Sequence, residues 1–320
     1  MVGFFIFGLL AILGSAIDTL AKSAGSGNNT DVFHNIEERV VVKGSAKKIV
    51  HIDLEGVIFN ASSGSQPSMV EEFQQQMRKA VADDAVVAIV VRINSPGGEV
   101  TASDLLHRTM QKADIHKPVI AYLDSIAASG GYYMACGARH IMAHETTLTG
   151  SIGVIIQSPN YRELLQKVGV SMEVYKSGKF KDILSGSREA TPEEREYIQA
   201  MERQSYERFS GVVSASRKKP VDELRDSSVA DGRIFSGKDA LASGMIDSTG
   251  FIDDAYTAAI KESGVEGASV VRYRPQHGLL GALGLFGQAS AKSSNRIEID
   301  VSERLLPKLQ PGVAYYLHLP

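Results

Sequence analysis

The chain has 320 residues, 43% hydrophobic and 22% charged, with a formal net charge of -3. Such a composition supports one large core or two modest ones and excludes general disorder. No lysine or arginine cluster stands free of acidic neighbours, as Glu37-Glu38-Arg39 illustrates, which argues against nucleic acid as a partner. A single cysteine, Cys136, excludes an intramolecular disulfide framework and a cysteine-based zinc site. Its setting, Tyr132-Tyr133-Met134-Ala135-Cys136, reads as packing.

In chain order, residues 1–17 carry no charge and include Phe4, Phe5, Phe7, Leu9 and Leu10. As a helix they span roughly 25 Å at about 1.5 Å each, just short of a bilayer core, and Leu20 and Ala21 extend the run past Asp18. Residues 1–21 are therefore read as a transmembrane signal anchor, without a charge asymmetry that sets its orientation. Residues 22–46 open on the polar Ser23-Ala24-Gly25-Ser26-Gly27 and read as a linker. A folded domain is expected over 47–275.

Its strands are expected at 49–54, 86–93, 119–123, 140–142 and 153–156, alternating with helices at 69–82, 103–113, after Ser129 and at 161–168. Residues 86–93 (VVAIVVRI) form a continuous β-branched run, as in a strand buried on both faces. A parallel sheet follows, and the fold class is α/β with right-handed crossovers. Thr191-Pro192-Glu193-Glu194 is a capping box with proline in the first turn, opening a long polar helix to about Lys218. Charge on most of its faces suits a surface crossing or a neighbouring subunit. A last helix is expected at 252–263. Residues 276–320 read as an apolar loop, GLLGALGLFG at 278–287, followed by a tail; the loop either touches a membrane or packs on the domain.

Two junctions carry candidate chemistry. Asn94-Ser95-Pro96-Gly97-Gly98 follows the buried strand directly, at the strand end where α/β sheets hold ligands. Its glycines allow close approach to backbone N–H groups, which suits an oxyanion hole or simply a turn. The second junction, Ala127-Ala128-Ser129-Gly130-Gly131, places a serine among small residues at the start of a helix. There Ser129 reads either as an N-cap or as a nucleophile. No G-x-S-x-G elbow and no H-E-x-x-H pair occurs, while His140 and His144 stay open as bases. The S-x-x-K matches at 45–48 and 216–219 lie in charge-rich stretches that suit solvated lysines.

Four motifs in one order resemble the bacterial signal peptide peptidase A family over residues 47–273. They are Ser95-Pro96-Gly97-Gly98, Ala127-Ala128-Ser129-Gly130-Gly131-Tyr132-Tyr133, Leu148-Thr149-Gly150-Ser151-Ile152-Gly153-Val154 and Lys176-Ser177-Gly178-Lys179-Phe180-Lys181-Asp182-Ile183. The N-terminal span and the tail Tyr315-Tyr316-Leu317 are also similar to its single-domain members. The resemblance implies a crotonase/ClpP-like fold, a repeated ββα superhelix with an N-terminal membrane span and a helical C-terminal extension. It makes 47–275 a peptidase domain, a serine endopeptidase that uses a Ser-Lys dyad on remnant signal peptides and other hydrophobic segments. It further implies a homo-oligomer, an octamer in relatives, held in the cell membrane by a single pass with the catalytic domain on the extracytoplasmic side. No cofactor or metal is implied.

Carried over by position, Ser129 is the nucleophile, Lys181 its general base, Ser151 the hydroxyl holding the lysine amine, and Gly98 with Gly130 the oxyanion donors. Two rival readings remain: an acyl-CoA enzyme of the same fold using Glu99 as acid and base, and a catalytically idle membrane scaffold. An ordinary lysine, with a pKa of about 10.4, is protonated at neutral pH. Lys181 must therefore be desolvated and free of a carboxylate partner, Asp182 above all. Whether it serves its own Ser129 or a neighbour's is left open by the sequence.

Overall fold

The β-branched run at 86–93 lies at the centre of the sheet in the computed structural model, which describes residues 36–62, 67–275 and 314–317. It forms β3 (Val86–Ser95), with β2 (Ser45–Glu55) and β5 (Val119–Ala128) parallel on either side. Ile89, Val90 and Val91 are fully shielded, so both faces are covered, each such side chain contributing about 1.5–3 kcal/mol. One face packs on α1 (Met69–Ala82) and α2 (Val100–Asp114), through Met77 and Leu106 among others. The opposite face packs on α8 (Ile252–Ser263) through Ala255, Tyr256 and Ala259.

Beyond β2 the sheet continues with β10 (Ala268–Pro275), parallel, and β1 (Ile36–Val42), antiparallel. Beyond β5 come β6 (His140–Ala143) and β9 (Ser248–Thr249). At the C-terminal end of β5, β7 (Leu148–Gly150) pairs with it in parallel and carries β8 (Ile234–Ser236) on its other edge. The Thr191 capping box is present: the Thr191 hydroxyl accepts from Glu194 N and the Glu194 carboxylate accepts from Thr191 N. It opens α5 (Pro192–Arg217).

Two expectations change. The sheet begins at Ile36, inside the stretch read as a linker, because β1 is an edge strand whose partner β10 supplies the pairing while Val40, Val41 and Val42 stay exposed. Residues 153–156 are not a strand; Ile155 alone forms a bridge there, and the ladder lies at β7 instead. After α8 the domain closes with β10, and of the expected helical C-terminal extension only residues 314–317 are described, where they form β11 (Tyr315–Leu317). The anchor at 1–21 and the apolar loop at 278–287 lie outside the described residues. No helix among the described residues is long and apolar enough to cross a membrane.

Candidate active site

The Ser95-Pro96-Gly97-Gly98 turn is tied by a bond from Gly97 N to the buried Ser95 Oγ (3.1 Å) and continues as β4 (Gly97–Glu99). Gly97 has φ +102°, a conformation that favours glycine. One edge of β4 pairs with Ile58, whose N donates to Gly97 O (2.8 Å) and whose O accepts from Glu99 N (2.9 Å). Successive peptide groups of a strand face opposite sides, so Gly98 presents its N–H and C=O to the other edge. There β11 runs antiparallel, with Tyr316 opposite Gly98. Val100 N donates to Ala314 O (3.2 Å), and the next hydrogen-bonded pair along such a ladder is Gly98 with Tyr316. The far edge of β11 is held by reciprocal bonds between Tyr315 and Ile155, both 3.1 Å. The C-terminal strand thus lies in a groove with backbone on both walls.

Ser129 joins β5 to α3 (Gly130–Ala135) with φ 53° and ψ -115°, a strained conformation costing about 1–3 kcal/mol. Its N donates to Gly150 O (2.7 Å) and its O accepts from Tyr133 N (2.8 Å), so neighbouring elements hold the strain in place. The hydroxyl makes no capping bond, which removes the N-cap reading. Ser129 is 1% exposed. A Cβ on Gly130 would lie 2.4 Å from Ser103 Oγ, 3.0 Å from Tyr316 O and 3.1 Å from Gly98 N; one on Gly97 would lie 1.9 Å from Tyr316 O and 2.7 Å from Gly130 N. Only glycine backbone fits there. Gly98 therefore faces Tyr316 across the ladder, and the Gly130 backbone lies close to the Tyr316 carbonyl, beside the serine. Two glycine amides so placed can hold an oxyanion.

Ser151 follows Gly150, the partner of Ala128 in the β5–β7 ladder, and so lies one step from Ser129. It too has a positive φ, 51°, and its N donates to Arg233 O (2.8 Å). A cavity of about 560 Å³ opens beside it, lined by Ser151, Ile152, Val154, Glu202, Tyr206 and Asp231 among others.

Lys181 is not brought to this site. Residues 166–179 are exposed throughout and Lys181 is exposed, its backbone closing a turn onto Gly178 O (3.1 Å). Its side chain has no hydrogen bond or ion pair among the described residues. Asp182 binds Lys176 (2.6 Å) and Arg188 (2.7 Å), which hold its carboxyl well below the usual range. Freedom from Asp182 is thus met in the single chain, and burial is not. The segment packs on little of its own chain: Leu164, Val168 and Met172 are about three-fifths exposed and Tyr175 is 92% exposed.

The rival bases are engaged elsewhere. His140 Nε2 pairs with Ser248 Oγ and His144 Nδ1 with Thr146 Oγ1, each at 2.8 Å. Glu99 Oε2 accepts from Asn60 N (3.1 Å). Cys136 is buried, which pushes its thiol up to about 12. Ile58, Ile155 and Ser103 were not foreseen, because the first two act through backbone and the third through shape, none of which leaves a motif.

The model of Peptidase family S49 matches residues 111–266, a stretch containing Ser129, Ser151 and Lys181. A putative protease of Synechocystis is 40% identical over 69% of this chain and 76% of its own length. A putative signal peptide peptidase SppA of Enterococcus faecium is 36% identical over 74% and 70%. A putative protease of Methanocaldococcus jannaschii is 32% identical over 87% and 86%. A buried, strained serine beside two glycine amides, with identity of this extent across most of both chains, has one consequence: the chain belongs to the signal peptide peptidase A family of serine peptidases, peptidase family S49.

Proposed function

We propose that the chain is a membrane-bound endopeptidase of ClpP-like fold that cleaves remnant signal peptides and other hydrophobic segments with a Ser129–Lys181 dyad completed between copies. The observation that carries this reading is the strained, uncapped Ser129 beside the Gly98 and Gly130 amides, at a carbonyl of an extended strand. Support for a shared dyad comes from the contrast between Ser129 in the groove and Lys181 on an exposed apolar segment. Packing that segment on a second copy desolvates its lysine, and the cavity beside Ser151 receives the amine.

In this mechanism a peptide extends along β4 and places its carbonyl between the two glycine amides. Neutral Lys181 of a second copy, held by the Ser151 hydroxyl, takes the Ser129 proton as Oγ bonds to the carbonyl carbon. The oxyanion is held by Gly98 and Gly130 N–H. As the C–N bond breaks, the lysine returns the proton to the leaving amine, and water then releases the acyl group by the same route. The segment at 1–21 anchors the oligomer, with the catalytic domain extracytoplasmic. The acyl-CoA alternative loses support because Glu99 is bonded to the Asn60 amide.

The test is fluorophosphonate labelling and hydrolysis of casein by the detergent-solubilised full chain, with Ser129→Ala and Lys181→Ala beside it over a pH series. Both variants lose hydrolysis, Ser129→Ala also loses the label, and the parent rate rises through one alkaline pKa. Continued hydrolysis by Lys181→Ala would sink the dyad, and continued labelling of Ser129→Ala would sink the nucleophile.

A further inference from the structure

Away from Ser129, two helices that cover the sheet leave a second groove between them. α1 stops at Ala82 just before β3 begins at Val86, and α2 stops at Asp114 just before β5 begins at Val119. Both C-termini therefore lie at the opposite end of the sheet from Ser129, which follows β5. Between their last turns is a cavity of about 470 Å³, within the range of about 300–1,000 Å³ usual for small-ligand sites. Its floor is apolar, with Met77 and Ala113 buried and Val81 beside them, and its rim carries the exposed Arg78, Lys112 and His116. Among the described residues no carboxylate lines it.

The fold makes no use of these rim groups. Among the described residues the side chains of Arg78, Lys112 and His116 form no hydrogen bond or ion pair. Helix termination does not call on them either: Lys117 donates to Ala80 O in the last turn of α1 and Arg139 to Asp114 O at the end of α2, both at 2.9 Å. Lys79, the neighbour of Arg78, is by contrast bound to Glu38 (3.2 Å) and donates to Ile36 O (2.9 Å). The second of these bonds ties α1 to the residue at which the chain enters the described domain. Residues 22–35 alone separate that point from the apolar segment at 1–21 expected to anchor the protein. At the end of α2 the apolar Ile115 is 77% exposed, directly before His116. Unpaired cations over an apolar floor, on a helix tied to the entry of a membrane segment, match one ligand chemistry: a phosphate joined to hydrocarbon.

We propose that the α1–α2 groove binds an anionic phospholipid of the membrane, its phosphate on Arg78, Lys112 and His116 and its glycerol and upper acyl chain on Met77, Val81 and Ala113. This inference rests on the membrane part of the reading above and not on the dyad. The lipid gives the domain a second attachment besides the segment at 1–21, and so restricts how the groove at Ser129 is turned relative to the bilayer.

The experiment titrates the full chain, in micelles of a neutral detergent, with fluorescent phosphatidylglycerol or phosphatidylcholine of the same acyl chains and reads anisotropy. The parent is expected to prefer phosphatidylglycerol. Arg78→Gln/Lys112→Gln is expected to bind it about 30-fold more weakly, about 5-fold for each cation facing an anionic lipid, with fluorophosphonate labelling unchanged. Arg195→Gln/Arg203→Gln, the same change of charge on the exposed surface of α5, is expected to bind as the parent does. Equal affinity of the parent for both lipids, or equal loss in the two double variants, overturns the groove. Competition by free glycerol phosphate as strong as by unlabelled lipid shows a site for the anion alone and overturns the lipid. A smaller oligomer in Arg78→Gln/Lys112→Gln, with no lipid bound by the parent, puts a second copy in the groove instead. Flotation with neutral phosphatidylcholine vesicles reports the anchor separately: failure to float removes the anchor, and a lipid-selective groove stands without it.

Discussion

The groove around Ser129 and the segment bearing Lys181 are built to opposite rules. In the groove, Ser129, Gly97, Gly98 and Gly130 are buried, and backbone bonds from Gly150, Ile58 and Ile155 hold each wall. Around Lys181 the chain is exposed from 166 to 179 and held mainly at its base, where Arg188 binds both Asp182 and Glu194. One region is pre-organised within a single chain. The other offers apolar residues and an unpaired cation to whatever packs on it. The difference teaches that strain at Ser129 persists only where neighbouring strands over-determine it; under the proposed dyad, the base comes from the less constrained element.

The sharpest way to break this comparison is to separate the two halves in different chains. Mixing Ser129→Ala with Lys181→Ala subunits, after dissociation and reassembly, is expected to restore hydrolysis from two preparations each reduced by at least about 10³-fold. If Lys181 served its own chain, each mixed subunit would stay inactive. Ser129→Ala is also expected to unfold within about 0.5 kcal/mol of the parent, since the hydroxyl caps nothing.

Next in size is Gly97→Ala. The added methyl meets the position of Tyr316 O at 1.9 Å and requires φ +102°, so the β4 wall must move and carry Gly98 with it. A loss of kcat on the order of 10²-fold is expected, as for removal of one oxyanion donor, together with about 1 kcal/mol or more of stability, read from denaturant melts.

The smallest effect tests the base of the Lys181 segment. Arg188 and then the Thr191 amide hold the Glu194 carboxyl at about 2, and Arg188 and then Lys176 hold that of Asp182 lower still. A depressed carboxyl stabilises the fold above its unfolded pKa, near 4.5 for Glu194, and the contribution disappears as pH falls through the folded value. Arg188→Gln should therefore melt below the parent at pH 7, with the gap in Tm closing between about pH 4.5 and 2. A gap independent of pH would show that Arg188 acts through packing alone.

Much of this molecule was legible from local signals. The run 86–93 announced a doubly covered strand because uninterrupted β-branched residues have no solvent face, and the Thr191–Glu194 box announced a helix start that forms as written. Ser129, Gly98 and Gly130 stood at two glycine-rich strand ends, and Ser151 was supplied by the family resemblance alone; the fold places the Gly98 and Gly130 backbone beside Ser129, and Ser151 one step past the β5–β7 ladder. The edge strand β1 was not, because its residues are mostly solvated and its stability is borrowed from β10.

Ser129 and its glycine turns were thus specified by residue type, since a strained serine and tight backbone approaches require small side chains around them. Whether that serine capped a helix or faced a groove depended on φ, on Gly150 and on the absence of a capping bond, none of which is encoded locally. The same holds for the last strand. Tyr315-Tyr316-Leu317 looked like an apolar tail, and it became an occupant of the groove only when β4 left one edge of Gly98 unpaired and Tyr133, Phe209 and the Ser205 carbonyl, from distant parts of the chain, closed around one ring. Local sequence sets the chemistry each position can perform; long-range pairing sets which groups meet.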